Sequence, residues 1–203
     1  MTTTPTPIQP VRRGRPGYDR QTLVDLCVKV FNRHGYEATS MGMLATELGI
    51  SKSAIYHHVK TKEEILEDAL DDALDGLETV TGQAEQTAGP ARQKIEALLK
   101  GAVRVLVNRQ PSVTLLLRLR GNSEVETKAL LRRRDLTTRL ANLIADAQAE
   151  GSVRSTASPK ILARLLYGTV NSLVDWYDPE KSAGADQTGD VLVDLIFQGI
   201  VQD

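Results

Sequence analysis

The sequence predicts an all-α protein of about nine helices, a small three-helix head followed by a larger helical body. Three observations carry this prediction. Apolar residues recur at i, i+3, i+4 and i+7 through the long segments, the period of a helix with one buried face. No strand pattern competes with that period. Residues 39–64, TSMGMLATELGISKSAIYHHVKTKEE, read as two short helices about a glycine turn, with a third helix starting just after.

Taken in order, residues 1–11 are rich in Thr, Pro and Gln, a composition that predicts disorder. RRGRPG at 12–17 extends them as a basic arm, so 1–17 forms one disordered basic segment. The first helix starts at Asp19. It carries Leu23, Leu26, Cys27, Val30 and Phe31 on one face and stops at Gly35. Ser40 caps a helix over 41–48, without the Glu or Gln that would complete a capping box. Gly49 supplies the turn, and Ser51 caps a further helix running to about Val59. A longer helix begins at Lys62, with Ile65, Leu66, Ala69, Leu70, Ala73, Leu74 and Leu77 on one face. Gly82 to Pro90 reads as a linker. Helices follow over 91–109, ended by Pro111, then 112–120, 123–150 and 159–176. Ser158 and Pro159 suit the last of these as cap and first helical residue. Residues 178–190 read as a loop, and a helix over 190–201 closes the chain. The division that results is a head at 18–62 and a body at 63–203.

A chain of 203 residues can bury a substantial core, and with two Phe and one Trp that core must be aliphatic. The single cysteine, Cys27, cannot form an internal disulfide and reads as a small buried hydrophobe. No run of about 18 apolar residues and no signal-peptide core are present, so a cytoplasmic protein without a membrane segment is expected. The net charge of −1 hides an asymmetry. Up to Lys62 the basic residues Arg12, Arg13, Arg15, Arg20, Lys29, Arg33, Lys52, Lys60 and Lys62 face only Asp19, Asp25, Glu37 and Glu47. From Glu63 to Pro90 there is no Lys or Arg, and the acidic residues there read as a solvated face turned away from the basic end. No nucleophile elbow, phosphate loop, paired metal ligands or Cys-His dyad occurs, and all three histidines lie in the head. Neither an enzyme nor a cofactor is expected.

At about 100° per residue, Lys52, Ser53, Tyr56 and His57 share one arc of their helix, while Ala54, Ile55, His58 and Val59 share the other. The second set packs; the first suits a DNA groove. Lys52 and Ser53 lie in the first turn, the part of a recognition helix that reaches base edges, and lysine can donate to guanine O6 and N7. Tyr56 and His57 suit phosphate oxygens at the groove wall. Thr39, Ser40, Ser51 and Lys62 sit at or beside helix starts, where hydroxyls, amides and the helix dipole bind phosphate. Arg12, Arg13 and Arg15 can track the backbone or enter the minor groove. His57 and His58 cannot form a metal pair, because helix neighbours point about 100° apart.

These residues resemble the TetR (tetracycline-repressor-like) family of transcriptional regulators. The resemblance rests on Thr39-Ser40, Leu44-Ala45, Leu48-Gly49-Ile50-Ser51 and Ile55-Tyr56-His57-His58-Val59-Lys60-Thr61-Lys62-Glu63, and covers about residues 18–66. Gly42 stands where many members carry a polar or charged residue, which weakens one possible backbone contact. Val59 stands where Phe is commoner, a core exchange. The resemblance implies a helix-turn-helix DNA-binding domain at 18–62 and a ligand-binding and dimerisation domain at 63–203. It implies a homodimeric repressor of operator DNA that dimerises through its last two long helices. Residues 159–176 and 188–201 carry the wide apolar faces this needs, with Gly168 and Gly199 allowing close approach. The competing reading is a helical dimeric small-molecule-binding protein without DNA binding.

Polar residues inside apolar runs are candidate ligand contacts: Arg118, Arg120, Asn122, Tyr167, Asn171, Asp175 and Trp176. Arg118 and Arg120, two apart, cannot share a helical face. RRR at 132–134 adds positive charge, with a solvated face as the plainer reading. Arginines beside an apolar cavity suit a ligand with an apolar tail and an anionic end. By resemblance to members of similar layout, an acyl- or aryl-CoA thioester is the expected effector, with a hydrophobic drug-like molecule as the alternative. The helix starting at Lys62 joins head and body and is expected to transmit the ligand's effect.

Overall fold

A computed structural model describes residues 18–199, and all its regular structure is helical. The head holds α1 (Arg20–His34), α2 (Met41–Leu48) and α3 (Lys52–Tyr56); α4 (Lys62–Gln86) runs from the head into the body. The body continues with α5 (Ala91–Asn108), α6 (Gln110–Leu117), α7 (Glu124–Ala149), α8 (Pro159–Asn171), the single turn α9 (Leu173–Trp176) and α10 (Ala185–Phe197). The expected arm at 1–17, with Arg12, Arg13 and Arg15, lies outside the described residues.

The caps fall where the sequence puts them. Asp19, Ser40, Ser51, Thr61, Ser123 and Ser158 each accept from a backbone amide three residues on. Gly49 ends α2 with φ 65°, ψ 33°, a left-handed conformation that a side chain would strain. The head core is Leu23, Cys27, Val28, Phe31, Leu44, Ile55 and Val59, closed by Ile65 and Leu66 from the start of α4. In the body α5 is central, packing on α4, α7, α8 and α10.

Five boundaries differ from the expectation, each for a local reason. α6 runs from Gln110 to Leu117 rather than over 112–120, because Pro111 fits the first turn of a helix. α3 stops at Tyr56 rather than Val59, and the chain leaves it through a turn whose His58 and Val59 amides bond back to the Ile55 carbonyl. The linker expected from Gly82 is instead the last turn of α4. Thr81 and Ala84 are buried there, and Glu85 is held by Arg139 of α7 at 2.6 and 2.8 Å. The helix expected over 159–176 breaks at Ser172 into α8 and α9. The closing helix begins at Ala185, inside the expected loop, and is fixed to α5 by Lys100–Asp190 at 2.6 Å.

The acidic stretch of α4 is a solvated face only in part: Glu63, Glu67, Asp71 and Asp75 are exposed, but much of its charge is paired. It receives arginines from α1, from α7 and from the α5–α6 junction. Glu64 and Asp68 hold Arg20 at 3.0 and 2.6 Å, and Asp72 holds Arg109 at 3.0 Å. Asp71, Asp75 and Glu78 together hold Arg132. Arg109 sits at the break between α5 and α6, with its guanidinium over Gly76, where a Cβ would collide with it. Charges that cluster along the sequence are paired across space.

A candidate DNA-reading face and a candidate ligand cavity

On the head, Ser51, Lys52, Ser53, Tyr56 and His57 are all exposed, while Ile55 and Val59 are fully buried. The expected division of this segment therefore holds at those positions. Ala54 departs from it and is exposed. A helix of five residues presses only Ile55 onto the core, and Val59 reaches it from beyond the helix end. His58 is half-buried; its ring packs edge-on against His57 and its carbonyl accepts from Arg20 Nε. Ser40 is exposed at the α2 N-terminus, and Ser51 at that of α3.

Two residues expected at the phosphate contacts are used inside the protein instead. Thr39 is buried, and its hydroxyl donates to the Gly35 carbonyl at 2.7 Å, closing the turn after α1. Lys62 reaches back to the same turn. Its ammonium donates to the Tyr36 carbonyl at 3.0 Å and lies 4.2 Å from the centre of the Tyr36 ring. A shallow depression between Ser40, Tyr56 and Lys60 lies over this turn.

In the body a cavity of about 1070 Å³ opens between α4, α5, α6, α7 and α8. Leu77, Ala102, Leu106, Val113, Leu116, Leu117 and Leu136 make its apolar part. Arg133 and Arg134 of α7 and Lys160 and Arg164 of α8 bring four cations to its wall, and the lining contains no Asp or Glu. None of the four has an ion-pair partner among the described residues. Arg133 is half-buried and donates to the Leu116 carbonyl at the end of α6 at 3.2 Å. Burial, and then the charge of Arg134, lower its pKa from the usual arginine value. The α8 N-terminus, Ser158 and Pro159, also lines the cavity, so the helix dipole adds to the positive field.

Of the residues expected to contact ligand, Tyr167 and Asn171 line this cavity; the others do not. Arg118 caps α6 and donates to the Asn32 carbonyl of α1 at 2.7 Å, joining body to head. Arg120 and Asn122 are exposed, in a loop whose amides at 120, 121 and 122 all bond to the buried Glu126 carboxylate. Asp175 and Trp176 lie exposed on α9. The RRR run divides: Arg132 is bound to α4, while Arg133 and Arg134 face the cavity. Lys160 and Arg164 were not foreseen. Their i, i+4 spacing in a segment with Leu162 and Leu166 was the available signal. Gly168, expected to serve dimer packing, is exposed on α8 and also borders the cavity.

Residues 23–69 match the family described as bacterial regulatory proteins, tetR family, and residues 88–200 match the tetracyclin repressor-like C-terminal domain. The HTH-type transcriptional repressor KstR2 of Mycolicibacterium smegmatis is 28% identical over 204 residues, spanning 97% of this chain and 95% of that one. A member of the TetR transcriptional regulator family from Streptomyces coelicolor A3 is 41% identical, with a TM-score of 0.83 over 89% of this chain and 92% of that one. AibR, solved in complex with isovaleryl coenzyme A and operator DNA, shares the fold with a TM-score of 0.72 at 22% identity, over 88% of this chain and 97% of that one. The exposed helix-turn-helix face and the cavity-bearing body thus sit in matched domains, and the chain belongs to the tetR family of DNA-binding transcriptional regulators.

Proposed function

We propose that the protein is a homodimeric cytoplasmic repressor that leaves its operator when an apolar molecule with an anionic group enters the body. The carrying observation is the cavity: an apolar wall joined to four cations, with no carboxylate to neutralise them. Such a wall favours a ligand that brings the missing negative charge. An acyl- or aryl-CoA thioester fits that description, with its acyl group against the leucines and its phosphates against Lys160, Arg164 and Arg134. The AibR complex with isovaleryl coenzyme A supports the class as one this fold can hold.

DNA contact is assigned to Ser40, Ser51, Lys52, Ser53, Tyr56 and His57, with Arg12, Arg13 and Arg15 of the arm adding phosphate contacts. Lys62 and Thr39 act from behind, as supports of the turn beneath this face. The path from cavity to head runs through α6 as well as α4. Leu116 and Leu117 line the cavity. Asn32 of α1 donates to the Pro111 carbonyl at 2.8 Å and accepts from Arg118, so both ends of α6 are tied to the head. A ligand that binds one arrangement of α6 better than another shifts the head by that difference in affinity.

The test is a titration of the protein onto DNA from its own promoter, alone and with a panel of CoA esters, alongside thermal melting. Binding that falls steeply with salt, and a CoA ester that both raises the melting temperature and releases DNA, are the expected results. Salt-insensitive or absent DNA binding would overturn the regulator reading. DNA binding untouched by a panel that also leaves the melting temperature unchanged would overturn the effector class.

A further inference from the structure

We infer that Gly42 is a positioning residue for Lys52 and so helps to set which operator the protein selects. The inference rests on the reading of Lys52 as a base-contacting residue. Gly42 lies in the first turn of α2, and Lys52 is the first residue of α3. Across the turn between them the lysine side chain folds back over the glycine. A Cβ added at position 42 would stand 3.2 Å from Lys52 Cε and 3.3 Å from Nζ, closer than carbon atoms pack. The Ser40 hydroxyl is the next atom, at 3.6 Å.

Charge does not hold the lysine there. No carboxylate pairs with Lys52 among the described residues, and its ammonium lies by the N-terminal turn of α2, the positive end of that helix. What places the side chain is the bare backbone at Gly42, which leaves a channel for the lysine stem. The ammonium is therefore aimed by shape and remains free to donate to a base. A Cβ at 42 crowds the lysine stem, which must give by a few tenths of an ångström and carries the ammonium with it. Lys52 is exposed and flexible, so the fold accommodates this and the aim of the lysine does not.

The experiment selects operators from a randomised duplex pool with the full chain, using wild type, Gly42→Ala, Lys52→Ala and the double variant, with melting temperatures for all four. Gly42→Ala should keep the wild-type melting temperature or raise it, since alanine favours the helix. It should weaken binding to the wild-type operator by about fivefold or more, the low end of one lost base contact. Its altered preference should fall at the base positions that Lys52→Ala also alters. In the Lys52→Ala background, Gly42→Ala should change nothing further. Unchanged selection by Gly42→Ala overturns the inference. So does an effect that persists undiminished without Lys52, because position 42 would then act on DNA by itself. Unaltered selection by Lys52→Ala overturns instead the reading of Lys52 on which the inference stands.

Discussion

At the scale of single residues, the head uses some of its polar groups on itself. Lys62 is the plainest case: a lysine at the start of a helix, beside the reading face, whose ammonium is taken by the Tyr36 carbonyl and ring. Lys62→Met should lower stability by about 1–2 kcal/mol, the worth of a charge-assisted hydrogen bond with a cation–π contact. It should leave the selected DNA sequence unchanged; chemical denaturation and operator selection measure the two. Sequence alone assigns Lys62 to a phosphate and Lys52 to a base edge, but only the fold shows that Lys62 has a carbonyl within reach. Cys27 was legible, because a cysteine in an apolar helical stripe is buried in any packing of that stripe. Burial pushes its thiol up to about 11, so at pH 8 it is protonated as well as enclosed. Labelling by a thiol reagent at pH 8 should therefore be negligible in the folded protein. Its onset should follow the urea unfolding curve measured by circular dichroism, and fast labelling without denaturant would contradict the packing of α1.

At the scale of elements, α6 is a short helix that borders the cavity and packs on α1 and α4. Arg133 joins the cavity to α6, with its guanidinium in the cavity wall and donating to the Leu116 carbonyl. On the proposed function, an effector anion would compete for that guanidinium. Arg133→Gln should keep operator binding without effector, yet raise the effector concentration needed for release by at least about tenfold, the scale of one lost charge-assisted contact. Fluorescence anisotropy on operator DNA reads both quantities. Release at the wild-type concentration would remove Arg133 from the path. The helices themselves were legible because caps and apolar stripes are local. The cavity was not, because its cations come from α7 and α8, distant in sequence and brought together only by packing. The end of α4 misled for a related reason: Gly82 looks like a stop, but burial of Thr81 and Ala84 and the hold of Arg139 on Glu85 outweigh the weak helix preference of one glycine. Gly101 of α5 shows the same precedence of packing over propensity. A Cβ there would lie 2.8 Å from Val80 Cβ, so Gly101→Ala should lower the melting temperature even though alanine is the better helix former.

At the scale of the whole molecule, one surface is incomplete. Ile161 and Leu165 of α8, and Val191 and Leu195 of α10, are between 45% and 61% exposed, and Trp176 joins them. Isolated apolar side chains are common on surfaces, but five large ones on the last three helices of one body leave much apolar surface to water, and we propose that they form one face. A second copy presenting the same face would cover it about a two-fold axis, since such an interface is complementary to itself. That pairing would also fix the distance between two heads, which have to meet successive major grooves about 34–36 Å apart or a multiple of it. Leu165→Asp together with Val191→Asp places charge in both halves of the face while leaving the core of each body untouched, because both side chains are exposed. Sedimentation should then give a monomer that retains its helical content. The monomer should bind one half-site, so the slope of log affinity against log salt should fall to about half, as half the phosphates are neutralised. A variant that remains dimeric would show that the two heads are joined elsewhere. A monomer with the full salt slope would show that one head makes all the phosphate contacts, and that the spacing of heads is not what an effector controls.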